Sequence, residues 1–291
     1  MQGIRHIVVG LDTPETARAP LATAFLIAQA RAAHVQAVHA RPAPANLRHL
    51  REAGLPESSI ASFREAAVKA EVEQGEACRA IFEEMRATYG LPESGAGVPP
   101  GPDGASARFL ALDGDPGAVL TRRGRGADLV VLGRGRGHAD PAAASTFQGV
   151  LTSGARPVVV APETAPETVG HSVVVAWNDS AEAMRALTAA LPLLVLAPRV
   201  TVVRVVDRSA EEDGDVSAAV EYLGWHGISC STDSVRRVDG AGASLLRACD
   251  AHEADLLVMG ASTHSRLREL VIGGATRHIL RHATLPVLVA H

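Results

Sequence analysis

Short apolar runs alternate along the chain with longer stretches in which apolar residues recur every three or four positions. In the second half, this pattern predicts strands at 173–177, 200–206, 231–237, 255–260 and 286–290, separated by helices at 180–196, 215–226, 242–252 and 273–282. Several of these strands are continuous apolar runs, which is typical of parallel strands covered on both faces. The alternation of strand and helix therefore predicts a doubly wound α/β fold.

Four segments of the first half recur in the same order in the second half. The pairs are 7–12 with 173–178, 113–120 with 239–246, 127–133 with 254–260, and 157–161 with 286–290. We therefore expect a tandem repeat of two domains, 1–162 and 171–291, each with its own five-stranded parallel sheet. The stretch 162–170 at the boundary contains two prolines and no apolar face, and it is interpreted as a linker.

The first domain carries an insertion. The first repeated segment recurs 166 residues later and the other three 126 to 129 residues later, so the first half holds about 40 additional residues, within about 41–104. Apolar residues at three- and four-residue spacing predict a long helix over 58–89 in this insertion. The helix is interpreted either as a lengthened crossover or as an arm that binds a partner.

Composition excludes several classes of protein. The formal net charge is −4, with 28 basic and 32 acidic residues, so nucleic acid is not an expected partner. Lys69 is the only lysine and lies in a Glu-rich helical stretch. This excludes a P-loop, a protein kinase and a pyridoxal enzyme, because each requires a lysine in a specific motif.

The cysteines and the hydropathy of the chain indicate the cellular compartment in which the protein is expected. Cys78, Cys230 and Cys249 are odd in number and form no CxxC pair, so we interpret them as reduced thiols. The N-terminal residues do not resemble a signal peptide, and no apolar run approaches the roughly 18 residues that a membrane helix requires. The expected location is the cytoplasm, with no membrane contact.

A glycine-bearing loop follows the predicted strand 255–260. Small residues open the loop, and Gly273 and Gly274 stand where the next helix begins. Unpaired amides and the helix dipole make such a helix start an anion site, and glycine allows a phosphate to approach the main chain. The candidate ligand contacts in this half are Asn178, Gly260, Ser262, Thr263, Gly273, Gly274 and Thr276. Asp12 and Gly133 are the corresponding candidates in the first half.

These segments together resemble a tandem universal stress protein of the UspA-like type, over nearly all of both halves. The resemblance rests on Val8–Asp12, Gly114–Pro116, Ala254–Gly260, the glycine loop and Pro286–Val289. It implies two doubly wound domains of the adenine nucleotide alpha hydrolase-like fold. It also implies that the closing strands, Pro157–Ala161 and Pro286–Ala290, pair as an intramolecular pseudo-dimer, and a homodimer of the whole chain stays open.

The nucleotide-binding branch of that family has a loop of Gly, two residues, Gly, nine residues, Gly, then Ser or Thr. The matching positions in the second half are Gly260, Thr263, Gly273 and Gly274, so two of four agree. In the first half only Gly133 agrees, since Arg136, Thr146 and Phe147 occupy the other places. The family's aspartate after strand one, which the resemblance places near the adenosine, is Asn178 in the second half and Asp12 in the first.

The resemblance implies a stress-associated regulatory protein that binds ATP or another adenine nucleotide, with Mg²⁺ accompanying it, and the loop favours the second half. The alternative is an interaction scaffold with degenerate pockets. No catalytic residue is predicted, and enzyme activity is expected to be weak ATP hydrolysis at most. Arg134 and Arg136 are candidate phosphate contacts in the first half, where a solvated loop is the other interpretation. His278 and His282 share a helix face, but no acidic partner accompanies them, so no metal site is predicted.

Overall fold

The computed structural model describes residues 3–42, 55–94, 104–134, 141–207, 215–261, 263–264 and 271–291. The strands are β1 His6–Leu11, β2 His34–Arg41, β3 Ser106–Asp113, β4 Leu129–Leu132, β5 Val158–Val160, β6 Ser172–Trp177, β7 Arg199–Val206, β8 Ser231–Arg236, β9 Leu256–Gly260, β10 Thr263–His264, β11 Val271–Ile272 and β12 Val287–Ala290. The helices are α1 Arg18–Arg31, α2 Glu57–Thr88, α3 Pro116–Gly124, α4 Pro141–Ser153, α5 Ala181–Leu194, α6 Ser217–Trp225, α7 Ala241–Ala251 and α8 Gly274–His282. A short 3₁₀ helix, Pro14–Thr16, precedes α1.

Ten strands form one mostly parallel sheet in the order β3-β2-β1-β4-β5-β12-β9-β6-β7-β8. Each half contributes five strands in the same order, which confirms the predicted α/β tandem repeat. The two five-stranded halves are joined into one sheet, because β5 and β12 pair antiparallel, with Val159 opposite Leu288. This contact is the predicted pairing of the closing strands. It gives each closing strand a partner, so neither is an open edge.

The antiparallel junction turns one half upside down relative to the other. The carboxyl ends of the first-half strands therefore lie on the same side of the sheet as the amino ends of the second-half strands. Helices α4 and α8 each precede a closing strand and end close to this junction. The C-terminal end of α8 is thereby brought to the carboxyl edge of the first half, a neighbourhood that no pattern within either half predicts.

The core lies on both faces of the sheet and runs across the junction. One cluster of buried side chains includes Val9 and Phe25 from the first half with Val175 and Leu187 from the second. The cluster on the opposite face likewise draws on both halves. Central strands buried on both faces explain why the sequence shows continuous apolar runs there.

Strand β8 is an exception to this rule. It lies at the edge of the sheet, and its side chains are mostly exposed, in the polar sequence STDSVR. A polar edge strand limits pairing with other chains.

The predicted long helix is present as α2, with 32 residues. Its later part packs on the core through Cys78, Phe82 and Met85, whereas every residue from 61 to 70 is exposed. Gln74 donates to the main-chain oxygen of Asp12 at 3.0 Å, so the exposed part of α2 rises beyond the carboxyl edge of β1. Whether that part contacts a partner stays a prediction. Among the helices described, none has the length and apolar character to span a bilayer.

Candidate ligand cleft

A cleft opens in the first half at the carboxyl ends of β1, β2 and β4. Its empty space is about 650 Å³, part of which is open to solvent. The chain continues from β1 to β2 on one side and places β4 on the other side, so the cleft lies at the point where strand order reverses. Ligands of doubly wound sheets bind at this switch point. The cleft is lined by Gly10, Leu11, Asp12, Thr16, Pro20, Val38, Ala40, Pro116, Leu120, Leu132, Gly133, Ala143 and Thr146.

The cleft has apolar walls and one charge. Val38 and Ala40 come from β2, and Leu120 and Leu132 come from α3 and β4. Among the described lining residues, Asp12 is the only charged one. An apolar space lined by one acidic residue suits a ligand that combines an apolar surface with hydrogen-bond donors.

Side chains of β2 and α2 hold the end of β1, which Asp12 follows. The main-chain oxygen of Leu11 accepts from Nδ1 of the buried His39 at 3.1 Å, and the oxygen of Asp12 accepts from Gln74. A β-carbon on Gly75 would lie 3.1 Å from His39 Cδ2, so glycine in α2 makes room for this imidazole. Asp12 is therefore positioned by β2 and α2 together.

Cys78 lies behind the same strand end and is chemically quiet. Burial, with a smaller contribution from the negative charges of Asp12 and Glu15, raises the pKa of its thiol to about 12. A thiol is a nucleophile only when ionised, so Cys78 stays protonated and inert at neutral pH.

Gly10 and Gly133 both line the cleft but differ in how closely other atoms surround them. A β-carbon on Gly10 would lie 2.7 Å from Leu120 Cδ1, so Gly10 allows α3 to pack closely at the floor. A β-carbon on Gly133 would lie 3.6 Å from Pro20 Cγ, which is ordinary contact. Gly133 lines the cleft, but space alone does not require glycine there.

Arg134 reaches from the first half into the second. Its Nη2 donates to the main-chain oxygen of Ala283, and its Nη1 donates to that of Arg281 at 3.4 Å. These carbonyls belong to the C-terminal end of α8, where cations offset the helix dipole. Burial lowers the pKa of Arg134, and the charge of Glu163 opposes that shift. Arg136, the other predicted phosphate contact, lies outside the described residues.

In the second half, Asn178 belongs to a helix cap. Its Oδ1 accepts from the Ser180 hydroxyl at 2.7 Å and from the Ser180 amide at 3.4 Å. The Ser180 hydroxyl oxygen in turn accepts from the amide of Ala183 at 3.1 Å, which caps α5. The sequence identified Asn178 as a ligand contact and missed this local role, although Asn followed two residues later by Ser is a capping pattern.

Gly260 has a packing role at the end of β9. A β-carbon there would lie 2.4 Å from the carbonyl carbon of Glu182 and 2.5 Å from the amide of Ala183. The first turn of α5 therefore lies against this strand end at a distance that only glycine allows. This role is independent of a ligand.

The remaining second-half candidates lie around the start of α8. Thr263 pairs with Ile272 in the β10–β11 ribbon, which brings the backbone after Gly260 next to Gly273. Gly273 is the residue before α8 and makes no side-chain cap, and a β-carbon on Gly274 would meet open space. Thr276 is buried in the first turn of α8. Ser262 lies outside the described residues.

Histidines and acids form no metal centre in the part of the chain that is described, where no group of three His, Cys, Asp or Glu side chains could hold an ion. His278 and His282 stack with ring centroids 4.4 Å apart. His282 Nδ1 contacts the His278 oxygen at 3.2 Å, so this pair interacts within α8.

Sequence comparison with known proteins finds similarity to one protein family. The sequence model of the universal stress protein family matches residues 171–291. The universal stress protein Slr1230 of Synechocystis is 28% identical over 168 residues, which cover 55% of this chain. The matched region spans 57% of that curated relative's length.

Solved structures match the whole chain in fold. A universal stress protein from Archaeoglobus fulgidus has a TM-score of 0.63 at 17% identity, over 97% of both chains. A putative universal stress protein from Pseudomonas aeruginosa has a TM-score of 0.58 at 16% identity, over 99% of this chain and 93% of that one. A further universal stress protein, solved in complex with cAMP, covers 42% of this chain with a TM-score of 0.33.

The fold is that of a tandem α/β protein with a cleft at a switch point. Residues 171–291 match the universal stress protein family directly, and the first half repeats the same five-stranded architecture. The chain as a whole is similar in fold to solved universal stress proteins.

Proposed function

We propose that this protein is an adenine-nucleotide-binding regulatory protein and that the nucleoside occupies the first-half cleft. The supporting observation is a cleft at the switch point with apolar walls and Asp12 among its lining residues. The walls would cover the faces of a purine, and the carboxylate would accept hydrogen bonds from ribose hydroxyls or an exocyclic amine. Mg²⁺ would accompany a di- or triphosphate.

The loop sequence favours the second half, whereas the described contacts support the first. Asn178 Oδ1 already accepts two hydrogen bonds in the α5 cap, and Gly260 is packed against α5. Asp12, the equivalent residue of the first half, is among the residues that line the cleft. The amides at the start of α8 remain a second anion-binding candidate, because Gly274 leaves the space beside them open.

Binding is proposed here, without catalysis. Asp12 is the only titratable side chain among the described lining residues. General acid–base chemistry needs groups that both give and take a proton, and one carboxylate does not supply both. Any phosphate release should therefore be slow compared with ligand exchange.

Thermal unfolding with adenosine, AMP and ATP–Mg²⁺ tests the proposal. A ligand that selects the native state raises its stability by RT ln(1 + [L]/Kd), so millimolar adenine ligands should raise the Tm more than guanosine does. Asp12→Ala should abolish most of that rise. Asn178→Ala is the matched control at the equivalent position of the repeat and should retain the rise, relative to its own ligand-free Tm.

The reverse pattern would place the ligand in the second half. No shift in the wild-type protein with any adenine ligand would reject the proposal and favour an interaction scaffold.

A further inference from the structure

We propose that a polar cavity at the amino ends of β7 and β8 binds a neutral polyhydroxyl compound of monosaccharide size. This inference goes beyond the proposed function, because the cavity shares no lining residue with the first-half cleft. Its empty space is about 840 Å³, part of which is open to solvent. That space is comparable to the roughly 300–1,000 Å³ of small-molecule sites.

The cavity is formed where three parallel strands of the second half begin. Ser172 opens β6, Arg199 opens β7 and Ser231 opens β8, and α7 ends beside them with His252 and Glu253. Strand β7 lies six strands from β1 in the sheet, which is about 29 Å at 4.8 Å per strand. Because the two halves are inverted, the cavity and the first-half cleft lie on the same side of the sheet but far apart.

Comparison of the two repeats explains why the space is open only in the second half. In the first half, His6 and His34 occupy the positions equivalent to Ser172 and Arg199, and their rings stack with centroids 5.9 Å apart. The Ser94 hydroxyl lies 3.3 Å from His34 Nδ1, so the segment before β3 covers this place. In the second half a serine replaces one imidazole, and a five-residue connection joins α6 to β8. Side chains of the first half therefore fill the space that the second half leaves open.

The charged groups at the cavity are already paired with opposite charges. Arg199 Nη2 lies 3.4 Å from Glu253 Oε2, and His252 Nε2 lies 2.9 Å from Asp233 Oδ2. A charged ligand would compete with one of these partners, whereas a neutral ligand can hydrogen-bond to both pairs without separating them. The side chains of Arg199 and Glu253 are 61% and 79% exposed, so their other donors and acceptors are accessible.

Hydroxyl-bearing residues also line the cavity. Thr201 Oγ1 and Ser231 Oγ lie 3.0 Å apart, and the buried Ser172 hydroxyl donates to the main-chain oxygen of His252 at 2.9 Å. A hydroxyl group both donates and accepts, so each of these can extend its hydrogen bonding to a hydroxyl of the ligand. Together with the two charged pairs, they present donors and acceptors side by side, as a ring of neighbouring hydroxyl groups requires.

Cys230 provides a local probe of this cavity. It lines the cavity and is half-buried, whereas Cys78 and Cys249 are buried. Burial raises the pKa of the Cys230 thiol, so iodoacetamide should alkylate it slowly at mildly alkaline pH, but before the two buried thiols. Peptide mass spectrometry then measures occupancy as protection of Cys230. The Tm is a poor readout here, because polyols stabilise proteins in general by exclusion from their surface.

The experiment measures the alkylation rate of Cys230 against the concentration of D-glucose, myo-inositol, glucose 6-phosphate and adenosine. At least one of the two neutral polyols should protect Cys230 in a saturable manner, and glucose 6-phosphate should protect it less than glucose does. Arg199→Ala should weaken the protection about tenfold or more, the loss expected for one charged hydrogen bond. Arg237→Ala is the matched control, because Arg237 pairs with Asp207 at 2.8 Å beyond the opposite ends of the same two strands.

Each variant is compared with its own ligand-free alkylation rate, which separates lost binding from altered reactivity. Absence of saturable protection by both neutral polyols, or unchanged protection in Arg199→Ala, would overturn the proposal. Stronger protection by glucose 6-phosphate than by glucose would overturn the preference for a neutral ligand. Adenosine should leave the rate unchanged, and protection by adenosine would assign the cavity to a nucleoside instead.

Discussion

The buried residue His34 is expected to make the stability of this protein depend on pH. His34 is 7% exposed and lies within hydrogen-bond distance of the Ser106 hydroxyl, at 3.0 Å, and the Ser94 hydroxyl, at 3.3 Å. Burial, followed by the charges of His6 and Arg108, lowers its pKa to about 4. The imidazole is therefore neutral in the folded protein under conditions in which an unfolded chain would protonate it.

The lowered pKa of His34 predicts that the folded protein loses stability in acid. The unfolded histidine titrates near 6.5, so the unfolded state binds more protons between pH 6.5 and about 4, and stability should fall as the pH drops through that window. His34→Gln should remove this contribution and flatten the dependence. Urea unfolding of both proteins at pH 7.5 and 4.5 measures the effect. Equal losses of unfolding free energy in the two proteins would show that His34 does not cause it.

Single residues also show where sequence interpretation stops. The candidates Asp12 and Gly133 do line one cleft, because the carboxyl ends of neighbouring parallel strands meet at one edge. Asn178 occupies the position equivalent to Asp12, yet its side chain accepts a hydrogen bond from Ser180, whose hydroxyl caps a helix. A motif identifies a residue type at a position, whereas its hydrogen-bond partner depends on the local path of the backbone.

At the scale of elements, the contact of α5 with β9 gives a matched comparison. Gly260 and Gly133 are equivalent in the repeat, but a β-carbon would collide with the α5 backbone only at Gly260. Gly260→Ala should therefore destabilise the protein by about 1–3 kcal/mol, as overpacking does. Gly133→Ala should be neutral or slightly stabilising, because the unfolded chain loses freedom. Urea denaturation of the two variants tests this; a similar free energy of unfolding for both would contradict it.

Element boundaries followed from the sequence where periodicity was strong. The long helix predicted at 58–89 is found at Glu57–Thr88, and the apolar run at 173–177 lies within β6. The β10–β11 ribbon was not predicted, because two-residue strands have no periodicity to detect. The cleft walls supplied by Val38 and Leu120 were also missed, since an apolar residue in a wall and one in the core look alike in sequence.

At the scale of the molecule, the shared sheet and core predict one cooperative unfolding transition. Val159 is fully buried at the junction, and both tryptophans, the buried Trp177 and the exposed Trp225, lie in the second half. Val159→Ala, in the first half, should remove about 1.5–3 kcal/mol. The tryptophan fluorescence transition should shift together with the far-ultraviolet circular dichroism. Separate transitions, or a fluorescence midpoint that ignores the substitution, would mean that the halves unfold independently.

The sequence by itself determined the repeat and the parallel strands, because burial on both faces of a sheet imposes apolar runs that can be counted along a chain. Only the tertiary structure decided which residues line the first-half cleft and which arginine crosses to the other half. The crossing depends on the antiparallel junction of β5 with β12, which brings residues 147 and 149 positions apart into hydrogen-bond contact. Local patterns do not encode contacts over such separations.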